Sequence, residues 1–429
     1  MIRPQQWLWL IACIGFLAVA FAHASAAPKT ISAEALYHAG RFDSARIAYR
    51  KIIARHPDDY QATTHLGYIA LFSNRLAEAK SWLTRAIALN PRDSGPRYAL
   101  AQALYRGDDF HETATVLAKI RTVDQMTADN YSSMYLPKLA GFGKTAPNVI
   151  SGRGQVTRLN FIKLDPLPVV RLRVNGRSAL FFLDTGGGET VIDPAFAREL
   201  KVQQFGSVQG TFSGSKAAPV GNGRIASLTL GDFTMKNVPV QILGTRQFSA
   251  PFGVKQLDGI LGTVVFYHFV ATMDYAKREL VLQRKGSGNG GHLSSGKAIS
   301  VPFWMAGDHF MIAHGRVNAL PEMLFFVDTG IAGAGAKLTQ AVIARAGIHL
   351  DEQKATQGGG AGGTIRTVPY RIPRLALGEF VRTNVPGVYD GQLPIATKLG
   401  FDVPGMIGHD AFVGHSITFD FSSMRITIR

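Results

Sequence analysis

The residues with the clearest chemical potential are two aspartates in matching surroundings. They lie in Phe181-Phe182-Leu183-Asp184-Thr185-Gly186 and Phe325-Phe326-Val327-Asp328-Thr329-Gly330. Each follows an apolar run, and each opens the same Asp-Thr-Gly turn. One such tripeptide is commonly a turn capped by its own carboxylate. Two in the same frame point to a carboxylate pair made by internal duplication. Carboxylates held about 3 Å apart cannot both ionise, so they share a proton. The charged one can take a proton from a bridging water, and the protonated one can donate to a carbonyl oxygen. This chemistry needs no cofactor and no metal, and neither is expected.

Composition narrows the alternatives. Of 429 residues, 46% are apolar and 18% charged, a folded composition with room for several domains. The single cysteine, Cys13, lies in an apolar N-terminal run. A mature chain without it has no disulfide, no thiolate nucleophile and no cysteine-ligated zinc. The histidines show no His-Glu-x-x-His spacing, and His409 is assigned no ligand role. The net charge of +16 is spread thinly, without a dense Lys/Arg tract. It reads as a solvated basic surface, and no nucleic-acid partner is expected. Arg3, the apolar run Trp7 to Ala22 and Ala24-Ser25-Ala26 read as an export signal. Residues 1–26 are therefore a signal peptide or an N-terminal anchor. The protein is expected to be periplasmic or secreted, touching a membrane only through that segment if it is uncleaved.

The aspartates need elements to hold them. From residue 159 the pattern becomes β-rich, with period-two alternation in Val169 to Val174, Leu228 to Leu230 and Ile417 to Phe421. Ala179 to Leu183 reads as a buried strand delivering Asp184. Asp193-Pro194 reads as the start of a short helix to Leu200. The region repeats itself. Arg224 to Phe233 matches Arg371 to Phe380, Asn237-Val238-Pro239 matches Asn384-Val385-Pro386, and Gly259-Ile260-Leu261-Gly262 matches Gly405-Met406-Ile407-Gly408. The two copies span 159–285 and 298–429. The Gly/Ser-rich stretch 286–297 between them reads as a flexible linker, leaving the halves free to fold separately and dock.

Ahead of the copies, residues 30–121 are helical in pattern with a 34-residue step. It links Phe42, Leu76 and Phe110, then Tyr49, Leu83 and Leu117, and then Pro57 with Pro91. Gly40, Asn74 and Gly107 fall at the expected turns. The region resembles tetratricopeptide repeats, stacked helix pairs that bury their apolar faces on one another. It serves as a spacer or as a docking surface for a protein partner. Residues 122–158 read as a connector. Gly141-Phe142-Gly143-Lys144-Thr145 ends like a phosphate-binding loop, but its first glycine is replaced by Lys138 and no strand precedes it, so nucleotide binding is rejected.

With these residues in place, 159–429 resembles a tandem, single-chain fusion of two retropepsin-like aspartic protease domains. Leu183 to Ile192 is similar to the signature of that family, and Gly262 and Gly408 are similar to its second element. The resemblance implies an all-β acid protease pair related by a pseudo-twofold axis, with Asp184 and Asp328 as catalytic dyad. It implies that Thr185 and Thr329 brace the two loops, with Gly186 and Gly330 beside them. It also implies a glycine-rich flap in each half, around Gly210, Phe212 and Gly214 and around Gly358 and Gly360. The second copy departs from the pattern: Ile331 stands where the family carries a small residue. The implied activity is an aspartic endopeptidase acting on an extended peptide or protein substrate, with the repeats recruiting substrate or partner. The alternative is a scaffold that binds peptide or cell-envelope material without cutting it.

Overall fold

The computed structural model describes residues 31–120, 135–212, 216–286, 298–360, 363–391 and 400–429. The expected signal segment 1–26, nearly all of the 286–297 linker, and Gly214 lie outside the described residues.

Three helix pairs come first: α1 (Ala33–His38) with α2 (Phe42–Arg55), α3 (Tyr60–Phe72) with α4 (Leu76–Leu89), and α5 (Gly95–Arg106) with α6 (Phe110–Ile120). The periodic columns have a physical role. Phe42, Leu76 and Phe110 each open the second helix of a pair. Tyr49, Leu83 and Leu117 lie two turns further on and are buried between helices. Pro57 and Pro91 sit in the loops that stop α2 and α4. The turn inside each pair needs one left-handed residue, supplied by Gly40 (φ +69°), Asn74 (φ +54°) and Asp108 (φ +61°). Sequence reading placed the third of these at Gly107. Gly107 caps α5 instead, and Asp108 keeps the 34-residue step.

The expected connector is more structured than its composition suggests. Residues 135–142 form a further helix, α7. The strand Val149–Gly152 pairs with Phe233–Ile242 of the first β half. Gly143, in the rejected phosphate-loop motif, takes a left-handed turn (φ +55°) just past the end of α7, not after a strand.

Both β halves are built alike. Arg177–Leu183 runs parallel to Gly259–Leu261, and Met323–Val327 runs parallel to Gly405–Ile407. The halves do not simply dock, as the linker suggested. They share one antiparallel sheet of six strands. Its order is Val156–Lys163, Glu279–Arg284, Phe269–Asp274, Ser416–Asp420, Arg425–Ile428 and Ile299–Ala306. At its centre Thr272 faces Thr418, equivalent positions in the two copies, with their hydroxyls 2.8 Å apart. The pseudo-twofold axis passes through this pair. One continuous apolar core, from Phe181 and Phe266 to Phe325 and Phe419, runs beneath both halves. Sheet and core together fix the angle at which the two Asp-Thr-Gly turns meet.

The helical block rests on the β region along its left-handed turns. Gly40 packs against Leu324 and accepts a hydrogen bond from His314. Asn74 donates to the Phe421 carbonyl, and Asp108 accepts from Asn148 and meets His268. Phe42 lies 5.3 Å from Trp304 and 5.1 Å from Phe401, ring centre to ring centre. Ile331 joins this same apolar cluster with Phe326 and Ala334. Its departure from a small residue therefore has a cause: its side chain is buried in the seam between helices and second half.

Candidate active site

Each aspartate leaves its strand with the backbone already anchored. The Asp184 N–H donates to Leu261 O at 3.2 Å, and the Asp328 N–H donates to Ile407 O at 2.9 Å. The turn then folds back on the carboxylate. Asp184 Oδ1 accepts from the Gly186 and Gly187 N–H groups at 2.7 and 3.2 Å, and Asp328 Oδ1 accepts from the Gly330 N–H at 2.8 Å. Each carboxylate also lies over the glycine of the opposite turn, so a side chain at Gly186 would run into Asp328 and one at Gly330 into Asp184. The two carboxyl groups therefore face each other across the paired turns.

The threonines lock the turns reciprocally. The Thr185 N–H donates to Thr329 Oγ1 at 3.1 Å, and the Thr329 N–H donates to Thr185 Oγ1 at 3.0 Å. Thr185 Oγ1 also donates to Val327 O at 3.2 Å, and both residues are fully buried. Behind the first loop, Thr263 donates its hydroxyl to Thr185 O at 2.8 Å. Gly262 and Gly408 pack so closely under the two loops that a side chain there would strike Glu189 O or Ala334 O.

Burial raises the pKa of both aspartates, outweighing the loop N–H groups that favour the ionised form. Asp328, which also faces the charge of Asp184, is pushed up to about 7. The pair therefore holds one proton in common over the neutral and mildly acid range.

The aspartyl protease family model matches residues 170–265 and again 313–408, and a tetratricopeptide repeat model matches 36–104. Two aspartyl protease domains follow tetratricopeptide repeats in one chain. No curated protein gave a match to it.

The flap candidates of both protease domains sit on hairpins. Gly210 pairs with Ala218 and Phe212 with Lys216 in the first, while Gly358 pairs with Ile365 and Gly360 with Gly363 in the second. The second hairpin reaches the first domain: a Cβ built at Gly359 lies 3.8 Å from Phe248. Asp193 has a structural role. One oxygen caps the helix α8 (Pro194–Glu199) at Ala195, and the other accepts from the Thr245 and Arg246 N–H groups. Among the described residues no cluster of His, Cys, Asp and Glu could hold a metal.

Two groups near the dyad have partners that sequence reading did not assign. The first is His309, at the tip of the hairpin Ile299–Ala306/Phe310–Val317. It stands 3.1 Å from where a Gly188 side chain would begin and is paired with Asp308, which accepts from the Tyr135 hydroxyl. Burial opposes a charge on His309, but Asp308 together with Asp184 and Asp328 raises its pKa. A protonated imidazole here favours the ionised dyad. In His309→Gln that support is lost, so the pH at which the dyad gives up its shared proton should rise, by about half to one pH unit. The alkaline limb of the pH–rate profile measures it; an unmoved limb would detach His309 from the dyad.

The second is Glu189, three residues past Gly186. Its Oε1 accepts from both Lys138 of α7 and Tyr105 of α5, and Lys138 and Glu189 are 2% and 6% exposed. Lys138 also lies 5.0 and 5.2 Å from the Tyr105 and Tyr135 ring centres. Removing one member of a buried pair costs about 3–5 kcal/mol. Lys138→Met should therefore lower the melting temperature markedly, and Lys138→Met/Glu189→Gln should recover more than half of the loss. An undiminished deficit in the double variant would show that the charge pair is not the cause.

Proposed function

We propose that this protein is an exported aspartic endopeptidase. A peptide lies extended across the dyad beneath the two hairpins, held by main-chain hydrogen bonds. Ionised Asp184/Asp328 takes a proton from a water placed between the carboxyls, and that water attacks the scissile carbonyl carbon. The proton held by the pair passes to the carbonyl oxygen. Collapse of the tetrahedral intermediate breaks the C–N bond, and the amine leaves with a proton returned through the dyad. No covalent enzyme intermediate forms. The observation that carries this reading is the pair of facing carboxyls on two turns locked by reciprocal threonine bonds in one chain. Because both aspartates belong to that chain, specific activity should not depend on protein concentration.

Export is supported by Arg3, the apolar run to Ala22 and the small residues that follow. Recruitment of substrate or partner by the repeats is supported by the repeat family, whose members present helical surfaces to proteins. The test of the activity is a diverse peptide mixture incubated with purified protein, read by mass spectrometry. The expected result is internal cuts with a side-chain preference. A mixture left intact across acid and neutral pH, with peptide still bound, would favour the non-cutting scaffold.

A further inference from the structure

The helical region reaches the loops of both protease domains with polar side chains. From α5, Arg106 donates to Met305 O at 3.2 Å and to Gly307 O at 2.8 Å, and also to Leu71 O of α3 at 2.7 Å. Met305 and Gly307 flank the entry to the turn that carries Asp308 and His309. From α7, the Tyr135 hydroxyl donates to Asp308 at 3.1 Å. In the first domain, Tyr105 of α5 and Lys138 of α7 donate to Glu189, which continues the Asp184 turn. Two helices thus hold one loop of each domain.

Attaching a helical block to a β domain does not require this. Apolar contact suffices, and the seam of Phe42, Trp304 and Phe401 already supplies it. Arg106 is 7% exposed, and burying a guanidinium is costly. Burial lowers its pKa to about 10, so it stays charged at neutral pH, and its rigid fork aims that charge at the carbonyls of the turn. The turn in its place sets His309 beside the dyad. His309 Nδ1 meets Asp308 Oδ1 at 2.5 Å, and a Cβ at Gly188 would lie 3.1 Å from the same nitrogen. The charged groups that act on the ring are Asp308 on its own turn and Asp184 and Asp328 of the pair; Tyr135 backs Asp308, and the Glu189–Lys138 pair follows Gly188. The corresponding turn of the first domain, Leu164-Asp165-Pro166-Leu167-Pro168, has no histidine. The imidazole is therefore supplied by one domain alone, and the helices hold it there.

We propose that α5 and α7 belong to the catalytic apparatus, with Arg106 and Tyr135 as positioning residues that hold the Asp308-His309 turn against the aspartate pair. The helices then do more than recruit: they fix a charged group beside the dyad. The purpose assigned to this arrangement rests on the peptidase reading, while the placement of His309 is tested without any cleavage assay.

The test is a double-mutant cycle read by NMR titration of the His309 ring in the full chain, its signal identified by its loss in His309→Gln. Asp184→Asn/Asp328→Asn removes the charge of the pair, so the resulting fall in the ring's titration midpoint measures how closely His309 is held to it. In otherwise wild-type protein the fall should be about one pH unit. With Arg106→Lys, which keeps the charge but not the planar fork, the fall should shrink to less than about half. Tyr135→Phe, which removes one hydroxyl and keeps the ring, should shrink it likewise, and it decides the matter alone if Arg106→Lys does not fold. A lowered melting temperature by itself would not cause this shrinkage. The proposal is overturned if the midpoint does not fall in the wild-type background, or falls as far in either folded variant as it does there. Where peptide is cut, both variants should lower kcat about tenfold with KM within about threefold, and an unchanged kcat in both would equally overturn it. Protein that cuts no peptide ends the peptidase reading alone, because the ring titrations still decide where His309 is held.

Discussion

Asp184→Asn and Asp328→Asn should each lower kcat/KM for a cleaved peptide by about 10³- to 10⁴-fold, because each removes one half of a shared acid–base pair. The equality of the two effects is the informative part. A site with one catalytic aspartate and one spectator would respond to only one substitution. The fold should survive both, since an asparagine keeps an oxygen to accept the Gly186 or Gly330 N–H. At alkaline pH, Asp328→Asn should stabilise. The unfolded aspartate titrates near 3.9, whereas folded Asp328 holds its proton to about 7. Between those values the native state binds more protons than the unfolded one, so stability is full below pH 4 and falls as pH rises to 7, by at most about 4 kcal/mol. Asparagine carries no such penalty. Melting curves at pH 4 and pH 8 should therefore show a higher melting temperature for Asp328→Asn only at pH 8. A variant equally destabilised at both would deny that the pair is strained by its charge.

Gly330→Ala should cost at least about 100-fold in kcat/KM, through geometry alone. Its new methyl points at the Asp184 carboxylate, in the space where the two carboxyls meet. Displacing one reacting group by about 1 Å is enough for a loss of that size. Gly187→Ala is the matched control. A Cβ there lies 3.7 Å from the Asp184 backbone and side-chain oxygens, an ordinary contact, so activity should stay within a few-fold of wild type. If Gly330→Ala retained full activity, the close approach of the two turns would not be the working arrangement.

Much of this site could be read from the chain because its logic is local and duplicated. Asp184 and Asp328 carry identical turn residues behind near-identical strands. The 34-residue step reports helix stacking, which is also set by nearest neighbours. What escaped depends on partners far away in sequence. Ile331 read as a departure because its reason, the apolar seam with Phe42 and Phe401, is formed by residues from both ends of the chain. Lys138 read only as a broken phosphate loop, while its partner Glu189 fell within the Leu183 to Ile192 signature without a role of its own. Nothing in spacing links a charge on α7 to one past Gly186. The glycine-rich stretch before residue 298 suggested independence of the halves, but alternation along Phe269–Asp274 and Ser416–Asp420 does not reveal that they pair with each other. Asp108 shows the opposite case: the period was sound, and following it one residue further than Gly107 finds the left-handed position.

The central claim is that one proton, shared by Asp184 and Asp328, drives the hydrolysis. The most direct test is the pH dependence of kcat/KM for one defined peptide, from pH 3 to pH 10. The expected rate falls once pH passes about 7, tenfold per pH unit, as the shared proton is lost. A rate that held level or climbed through pH 10, in protein still folded, would contradict the account and assign the chemistry to another group.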